Sequence, residues 1–233
     1  EDLGNLVADE LAGFPGAESV RLRVLKKTLG YYQRFSEQEA NDPILKADLA
    51  LTYSRIGKWT EELESTEAAV EHYRHAQLIY EQLDPEPFRP TDIRRQQAEN
   101  LNALGLALTK LGQNSQAEQA YRAALEIHSE SPSSEVTQQA DLGITRNNYG
   151  LFLQRAGRTE QAASTINEGI ALLKRAVAAD PSDSRATRAL GAAYNNLGSV
   201  QSQSDPQAAA QSFNRALDIQ LPMTQNSGHR LRA

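Results

Sequence analysis

The chain has 233 residues, a formal net charge of −6 at pH 7, 39% hydrophobic residues and no cysteine. The lack of cysteine excludes disulfide bonds and thiolate metal sites, and an acidic chain without a basic block is repelled by phosphate, so we expect no nucleic-acid partner. No apolar run approaches the roughly 20 residues that a membrane-spanning helix needs, so we expect no membrane contact by this segment.

The start of the chain indicates a segment cut from a longer protein, because the first residue is Glu1 rather than methionine. No signal peptide is recognisable at its beginning. We therefore assign no compartment. A soluble cytoplasmic segment is the default expectation, and an extracytoplasmic one follows if a membrane span precedes it.

Residues 1–42 are predicted to form N-terminal capping helices. A short helix over 1–13 ends at the glycines and proline of 13–16, and a long helix follows from Glu18 to Ala40. Apolar residues of this long helix fall at helical spacing and predict one buried stripe. They are Val20, Val24, Leu25, Tyr31, Tyr32 and Phe35.

Four helix pairs are predicted next, because helical spacing alternates with glycine and proline breaks and no segment shows strand alternation. The pairs cover 43–84, 91–131, 134–180 and 183–221. Pro222 is expected to end the last helix and to leave 222–233 as a frayed C-terminal tail. The predicted fold class is therefore all-α.

The predicted pairs repeat one another. Gly105, Gly150 and Gly198 each follow a large residue in a first helix, and they lie 45 and 48 residues apart. The second helices repeat the blocks Ala117-x3-Tyr121, Ala162-x3-Ile166 and Ala209-x3-Phe213. Glycine inside a helix costs about 1 kcal/mol relative to alanine, so its recurrence predicts a close crossing of two helices. A fixed period of about 20–50 residues is typical of a solenoid.

The first pair needs a choice of register. We align Leu49-Ala50-x2-Tyr53 with the later glycine motifs, which makes Gly57 the end of the first helix. This register leaves seven more residues before the second-helix alanine, Ala69, than the second pair has. Seven residues are about two helical turns, so we expect a longer second helix with Trp59 on the added part. Left-handed turns between paired helices are expected at Gly57, Gly112 and Gly157.

The motif L-G-x2-(large)…A-x3-(aromatic or large) over residues 43–221 resembles the tetratricopeptide repeat. The resemblance implies a right-handed superhelix of antiparallel helix pairs, in which the first helices line a concave groove for a peptide or protein. Two features depart from the family pattern. The period exceeds the usual value of about 34 residues, and Ala50 replaces the first glycine.

A narrower resemblance concerns the strings Leu25–Phe35, Asn41-Asp42-Pro43 and Leu49–Gly57. They are similar to the repeat region that follows the kinase domain in large bacterial serine/threonine protein kinases, as are Asn147–Gly150 and Tyr121–Leu125. This resemblance implies a regulatory or docking segment of a larger protein. The chain itself has no glycine-rich phosphate loop, no His-Arg-Asp loop and no Asp-Phe-Gly motif.

Recurring residue types on the predicted first helices are the candidates for a peptide groove. Asparagine recurs at Asn102, Asn147 and Asn195, and one residue further on at Asn148 and Asn196. Leucine recurs at Leu51, Leu106 and Leu151, and a basic residue recurs at Arg55, Lys110 and Arg155. Side-chain amides can bond an extended peptide, leucines offer apolar pockets and basic residues attract acidic groups. Alternatively, the asparagines join adjacent helices and the basic residues are solvated helix ends.

No catalytic, metal or cofactor site is predicted. His72 and His75 lie three residues apart on a predicted helix, but no third metal ligand is evident, and no acid, base and nucleophile converge. The predicted function is a non-catalytic protein-interaction module that binds a peptide or a partner helix. The alternative is a scaffold without a groove ligand, either a spacer or a homo-oligomer that buries Trp59 or the segment around Phe14.

Overall fold

The computed structural model describes residues 16–38, 42–83, 90–130 and 136–230, and the predicted helix over 1–13 lies outside them. The described residues form nine α-helices and no strand, which confirms the all-α class. The helices are α1 (Glu18–Gln38), α2 (Pro43–Leu63), α3 (Thr66–Gln82), α4 (Pro90–Lys110), α5 (Asn114–Glu130), α6 (Val136–Arg155), α7 (Thr159–Ala179), α8 (Ser184–Gln201) and α9 (Pro206–Arg230). We refer to α2, α4, α6 and α8 as the first helices, and to α3, α5, α7 and α9 as the second helices.

Local sequence sets the helix boundaries. Asp42 precedes α2, and its side chain accepts a hydrogen bond from the backbone N–H of Ile44 at 2.8 Å. Pro43 occupies the first turn, where the missing N–H has no partner to lose. The turns after α4 and α6 use Gly112 and Gly157, whose φ values are 70° and 76°. Glycine tolerates this left-handed backbone, so the two predicted glycine turns are confirmed.

The chain divides into two compact units, residues 1–127 and 128–233. The first unit contains α1 to α4 and nearly all of α5, and the second unit contains α6 to α9. Within each unit, helices that are consecutive in sequence pack against each other.

In the first unit, α1 packs on α2 through one face. This cluster contains Leu22, Leu25, Leu29 and Tyr32 from α1, and Leu49 and Ile56 from α2. Spacings of three and four residues place the α1 members on one side of the helix. The predicted stripe is partly wrong, because Val20 and Tyr31 are 36% and 50% exposed. Apolar residues of α1 extend around more than one face, and only packing against α2 selects the buried one.

In the second unit, α6 and α7 form an antiparallel pair. Gly143 lies against Leu173 in the first half of α6, and Gly150 lies against Ile166 in its second half. A Cβ atom at position 143 would come within 2.7 Å of Leu173 Cγ. Glycine therefore permits this close approach of the two helices.

The predicted register of the first pair is wrong. α2 runs through Gly57 to Leu63, and Gly57 is buried against Tyr73, where a Cβ atom would lie 2.7 Å from the ring. Gly105 meets Tyr121 in the same way, at 3.0 Å. Both glycines precede their tyrosines by 16 residues. Gly57 is thus the equivalent of Gly105, not a turn residue.

The expected two-turn extension of the second helix is also absent from the first pair. α3 and α5 both have 17 residues, and Trp59 lies on α2, packed against the cluster of α1 and α2. The error has a simple cause. Seven residues are about two helical turns, so both registers keep the same apolar face in phase.

The last helix extends beyond the predicted end. α9 continues through Pro222 to Arg230, so the expected break at this proline is wrong. A proline inside a helix removes one backbone hydrogen bond, but its fixed φ near −65° is compatible with helical geometry.

Candidate functional site

The second unit contains an amide link between two first helices, α6 and α8. Asn147 on α6 is only 6% exposed, and its Oδ1 accepts a hydrogen bond of 3.0 Å from Asn196 Nδ2 on α8. Further along the same helices, Gln154 Nε2 donates to Ser199 Oγ at 3.1 Å. The side-chain oxygen of Asn147 is therefore already bonded within the protein. This agrees with the alternative interpretation, in which the asparagines join adjacent helices.

The first unit contains a second amide link, which sequence reasoning missed. Asn100 on α4 is 2% exposed, and its Nδ2 donates to the backbone carbonyl of Tyr73 on α3 at 2.9 Å. Its Oδ1 accepts a hydrogen bond of 2.8 Å from the Ser54 hydroxyl on α2. Asn100 thus joins three helices. Ser54 and Asn100 are 46 residues apart and stand three and five residues before Gly57 and Gly105, so no repeat pattern marks them as a pair.

The other candidate asparagines differ in exposure. Asn102 on α4 and Asn148 on α6 are half-buried, whereas Asn195 on α8 is exposed. Asn195 holds the same position before its glycine as Asn147 does. Within the second unit, α8 packs beside Asn147, whereas none of the described helices places a first helix beside Asn195 in the same way. Equal positions in the repeat therefore have unequal environments.

The candidate leucines and basic residues do not form the expected series. Leu106 on α4 and Leu151 on α6 directly follow their glycines and are half-buried. In the corrected register, the equivalent residue on α2 is Lys58, so the equivalence of Leu51 with this pair is wrong. Leu51 is itself half-buried near the middle of α2.

The same shift separates the basic candidates. Lys110 and Arg155 end α4 and α6 and are exposed, whereas Arg55 is half-buried in the middle of α2. The expectation that all three stand at equivalent helix ends is therefore wrong, because Glu62 holds that place on α2.

Lys110 takes part in a polar network with α2. Its Nζ donates to Glu61 Oε1 at 2.8 Å, and the Tyr73 hydroxyl donates to Glu61 Oε2 at 3.4 Å. Burial, together with the Glu61 carboxylate, raises the pKa of Tyr73, so this phenol stays protonated and can act as the donor. A comparable ion pair in the second unit joins Arg185 on α8 to the buried Asp141 on α6.

The two histidines of α3 pack against an aromatic ring of α2. The Tyr53 ring stacks on His75 at a centroid distance of 5.2 Å and lies 6.1 Å from His72. Burial, followed by the charge of Lys26, lowers the pKa of His72. Across the described ranges, no three His, Cys, Asp or Glu side chains are grouped in a way that suits a metal ion.

Among the helices that the structure describes, none combines the length and the apolar character needed to cross a bilayer.

Comparison with known proteins gives a family match for one part of the chain. Residues 98–130 match the model of the tetratricopeptide repeat. This stretch includes most of α4 and all of α5, with Asn102, Leu106 and Lys110. A search of curated protein sequences finds no match.

Solved structures of repeat proteins share the fold. A structure of nearly identical TPR-like repeats from a Podospora anserina protein, described as a kinesin light chain, is similar with a TM-score of 0.56 and 13% identity, over 95% of each chain. BtubC (BKLC) from P. vanneervenii is similar with a TM-score of 0.50 and 17% identity, over 89% of this chain and 92% of its own. These similarities define the class of fold, an α-helical solenoid of tetratricopeptide type.

Proposed function

We propose that this chain is a non-catalytic protein-interaction module that binds a peptide or a partner helix on the surface of its first helices. The observation that carries this proposal is the tetratricopeptide repeat match over residues 98–130, because this repeat is a protein-binding scaffold. The matched segment contains three of the residues for which the sequence predicts ligand contacts, Asn102, Leu106 and Lys110.

The geometry favours some candidate residues over others as ligand contacts. Asn147 and Asn196 bond each other, and Asn147 Nδ2 also donates to Asn148 Oδ1 at 3.5 Å, so a ligand would have to compete with these links. Asn102 and Leu106 on α4, and Asn148 and Leu151 on α6, are partly accessible, and Asn195 on α8 is exposed. Each unit therefore offers a half-buried leucine next to amides, a combination that suits the apolar side chains and polar backbone of a peptide.

A capture experiment tests this proposal. The variant Asn102→Ala/Asn148→Ala/Asn195→Ala removes one amide from each of three first helices and leaves the Asn147–Asn196 link in place. The matched control, Gln119→Ala/Ser164→Ala/Gln207→Ala, changes three exposed polar residues on second helices. Both variants are compared with wild type by circular dichroism and by affinity capture from native lysate with mass spectrometry.

We expect the first-helix variant to lose a partner that wild type and the control both retain. The reason is that a buried hydrogen bond to a ligand contributes roughly 0.5–1.5 kcal/mol, so three lost bonds weaken binding by about tenfold or more. A partner retained equally by both folded variants would exclude these amides as the binding surface.

We further propose that the chain is the docking or regulatory segment of a larger protein, a serine/threonine kinase. Only the resemblance of strings such as Leu25–Phe35 supports this context. Sequencing the gene upstream of the codon for Glu1 tests it. A kinase domain there would support the proposal, and its absence would remove it.

A second candidate function is self-association. Leu217 and Leu221 lie one helical turn apart on α9 and are 51% and 54% exposed, so they form a small apolar patch that a second copy could cover. Sedimentation velocity over a range of concentrations tests this, with Leu217→Ser/Leu221→Ser as the variant. Wild type that stays monomeric at all concentrations would exclude it.

A further inference from the structure

The second unit contains a basic cleft that belongs neither to the core nor to the first-helix surface. It lies between α7, α8 and α9 and has a volume of about 350 Å³. Lys174 on α7 and Arg215 on α9 line it, and none of its described lining residues is acidic. In a chain with a net charge of −6, such a cleft is a local site of positive charge.

The cleft and the proposed first-helix surface lie on different sides of α8. Tyr194 and Gln201 line the cleft, whereas Asn195 and Ser199 belong to the first-helix surface. Because successive residues turn by about 100° around a helix, the two sets lie roughly 100–160° apart around α8 and therefore on different faces. A ligand of the cleft would therefore leave the first-helix surface unoccupied.

One of the two cations is held in a defined orientation. The Arg215 guanidinium lies 5.6 Å from the centroid of the Tyr194 ring, a cation–π contact. Tyr194 itself is 6% exposed, so the ring is a fixed support. Neither Lys174 nor Arg215 forms an ion pair with another of the described residues. Both charges are available to a ligand.

Polar groups complete the wall of the cleft. The Ser212 hydroxyl donates to Gln201 Oε1 at 2.8 Å, which joins α8 to α9. This bond occupies the oxygen of Gln201, while its NH₂ group has no acceptor among the described residues. An oriented guanidinium, a lysine and an amide donor together present hydrogen-bond donors to one small volume.

We infer that this cleft binds the carboxylate side chains of an extended acidic segment of a partner protein. The planar guanidinium fits a carboxylate with two parallel hydrogen bonds, and Lys174 supplies a second positive charge across the cleft. Ile170 and Leu197 add an apolar surface that suits the methylene groups of glutamate. A peptide uses all of these groups, whereas a free inorganic anion uses only the charges.

Fluorescence anisotropy with a fluorescein-labelled hexaglutamate peptide tests this site in the full chain. Lys174→Gln/Arg215→Gln removes the two cleft cations. The matched control Arg175→Gln/Arg188→Gln makes the same change in net charge at exposed positions outside the cleft. Lys174→Gln alone serves as a second variant if the double variant loses helicity by circular dichroism, and labelled hexaglutamine tests the need for carboxylates.

We expect the cleft variant to bind hexaglutamate about tenfold more weakly than wild type, since a hydrogen bond to a charged group contributes at least that factor. The control should stay within about twofold, because distant exposed charges are screened. Equal weakening of both variants, equal binding of hexaglutamine, displacement of the peptide by millimolar phosphate at constant ionic strength, or no binding to wild type would each overturn the inference.

Discussion

In both units a buried asparagine side chain joins successive first helices by hydrogen bonds, but the asparagine stands at a different repeat position in each. In the first unit, the buried Asn100 links α4 to Ser54 on α2 and to the Tyr73 carbonyl on α3. In the second unit, the buried Asn147 on α6 accepts from Asn196 on α8. Asn100 stands five residues before its glycine, and Asn147 three. Each unit therefore has a buried amide between its first helices, but at different repeat positions.

This comparison separates asparagines that hold the fold from those that can bind a ligand. Asn147 and Asn195 share one repeat position, yet the first is buried by α8 and the second is exposed. Sequence position alone does not distinguish the two roles, whereas burial and bonding do.

The largest expected effect is that of Asn100→Ala. This substitution removes the hydrogen bonds to the Tyr73 carbonyl and to the Ser54 hydroxyl, which keeps its bond to the Ala50 carbonyl. It also creates a small cavity, so the free energy of unfolding should fall by roughly 2–3 kcal/mol. Urea denaturation followed by circular dichroism measures this. Gln119→Ala, at an exposed position on α5 of the same unit, is the control. A loss below that of the control would show that the three-helix link contributes nothing.

Gly57→Ala tests the corrected register of the first pair. The added Cβ atom would lie 2.7 Å from the Tyr73 ring. Because the ring must shift, the free energy of unfolding should fall by roughly 1–3 kcal/mol. Gly30→Ala on α1 is the matched control, because nothing lies within 4 Å of its added Cβ atom. That variant should be stabilised by up to about 1 kcal/mol. Stabilisation by both substitutions would contradict the contact of Gly57 with Tyr73.

Asn147 and Asn196 should show coupled effects in the second unit. A double-mutant cycle with Asn147→Ala and Asn196→Ala should give a coupling free energy of roughly 0.5–1.5 kcal/mol, the range for one partly buried hydrogen bond. Thermal or urea unfolding of wild type, the two single variants and the double variant provides the four values. Simple addition of the two single effects would mean that the bond does not stabilise the helix contact.

The smallest expected effect is a pH dependence of stability that arises from His72 in the first unit. Burial, with a further contribution from Lys26, lowers the pKa of His72 below its usual value of 6.5 in the folded state. Below about pH 6.5 the unfolded chain therefore binds more protons than the folded one, and stability falls as the pH decreases toward the folded pKa. A His72→Gln variant should show a flatter stability profile between pH 7 and 5. A profile identical to that of wild type would exclude His72 as a source of the dependence.

Local sequence signals predicted much of the fold. The helix pairs with the turns at Gly112 and Gly157 could be inferred because glycine and proline act on their own backbone. The register of α2 could not, because a shift of seven residues preserves the helical phase. The constant 16-residue spacing between Gly57 and Tyr73, and between Gly105 and Tyr121, would have resolved it.

The candidate surface was less predictable than the fold. The recurring asparagines marked the first helices, but whether each amide is bonded within the protein depends on which helix packs beside it. The role of Asn100 was not predicted, because this residue lies outside the aligned motif. The basic cleft at Lys174 and Arg215 was not predicted either, because residues far apart in sequence form it. Both features follow from tertiary packing rather than from any local pattern.

The most direct test compares Asn147→Ala with Asn195→Ala. The two asparagines occupy the same repeat position, and we assign the first to the stability of the fold and the second to ligand binding. Partner capture from native lysate and the free energy of unfolding are measured on both variants. We expect Asn147→Ala to lower stability by roughly 1 kcal/mol, and Asn195→Ala to weaken partner capture while leaving stability unchanged. A destabilised Asn195→Ala variant that retains its partner would contradict the proposed binding role of the exposed asparagine.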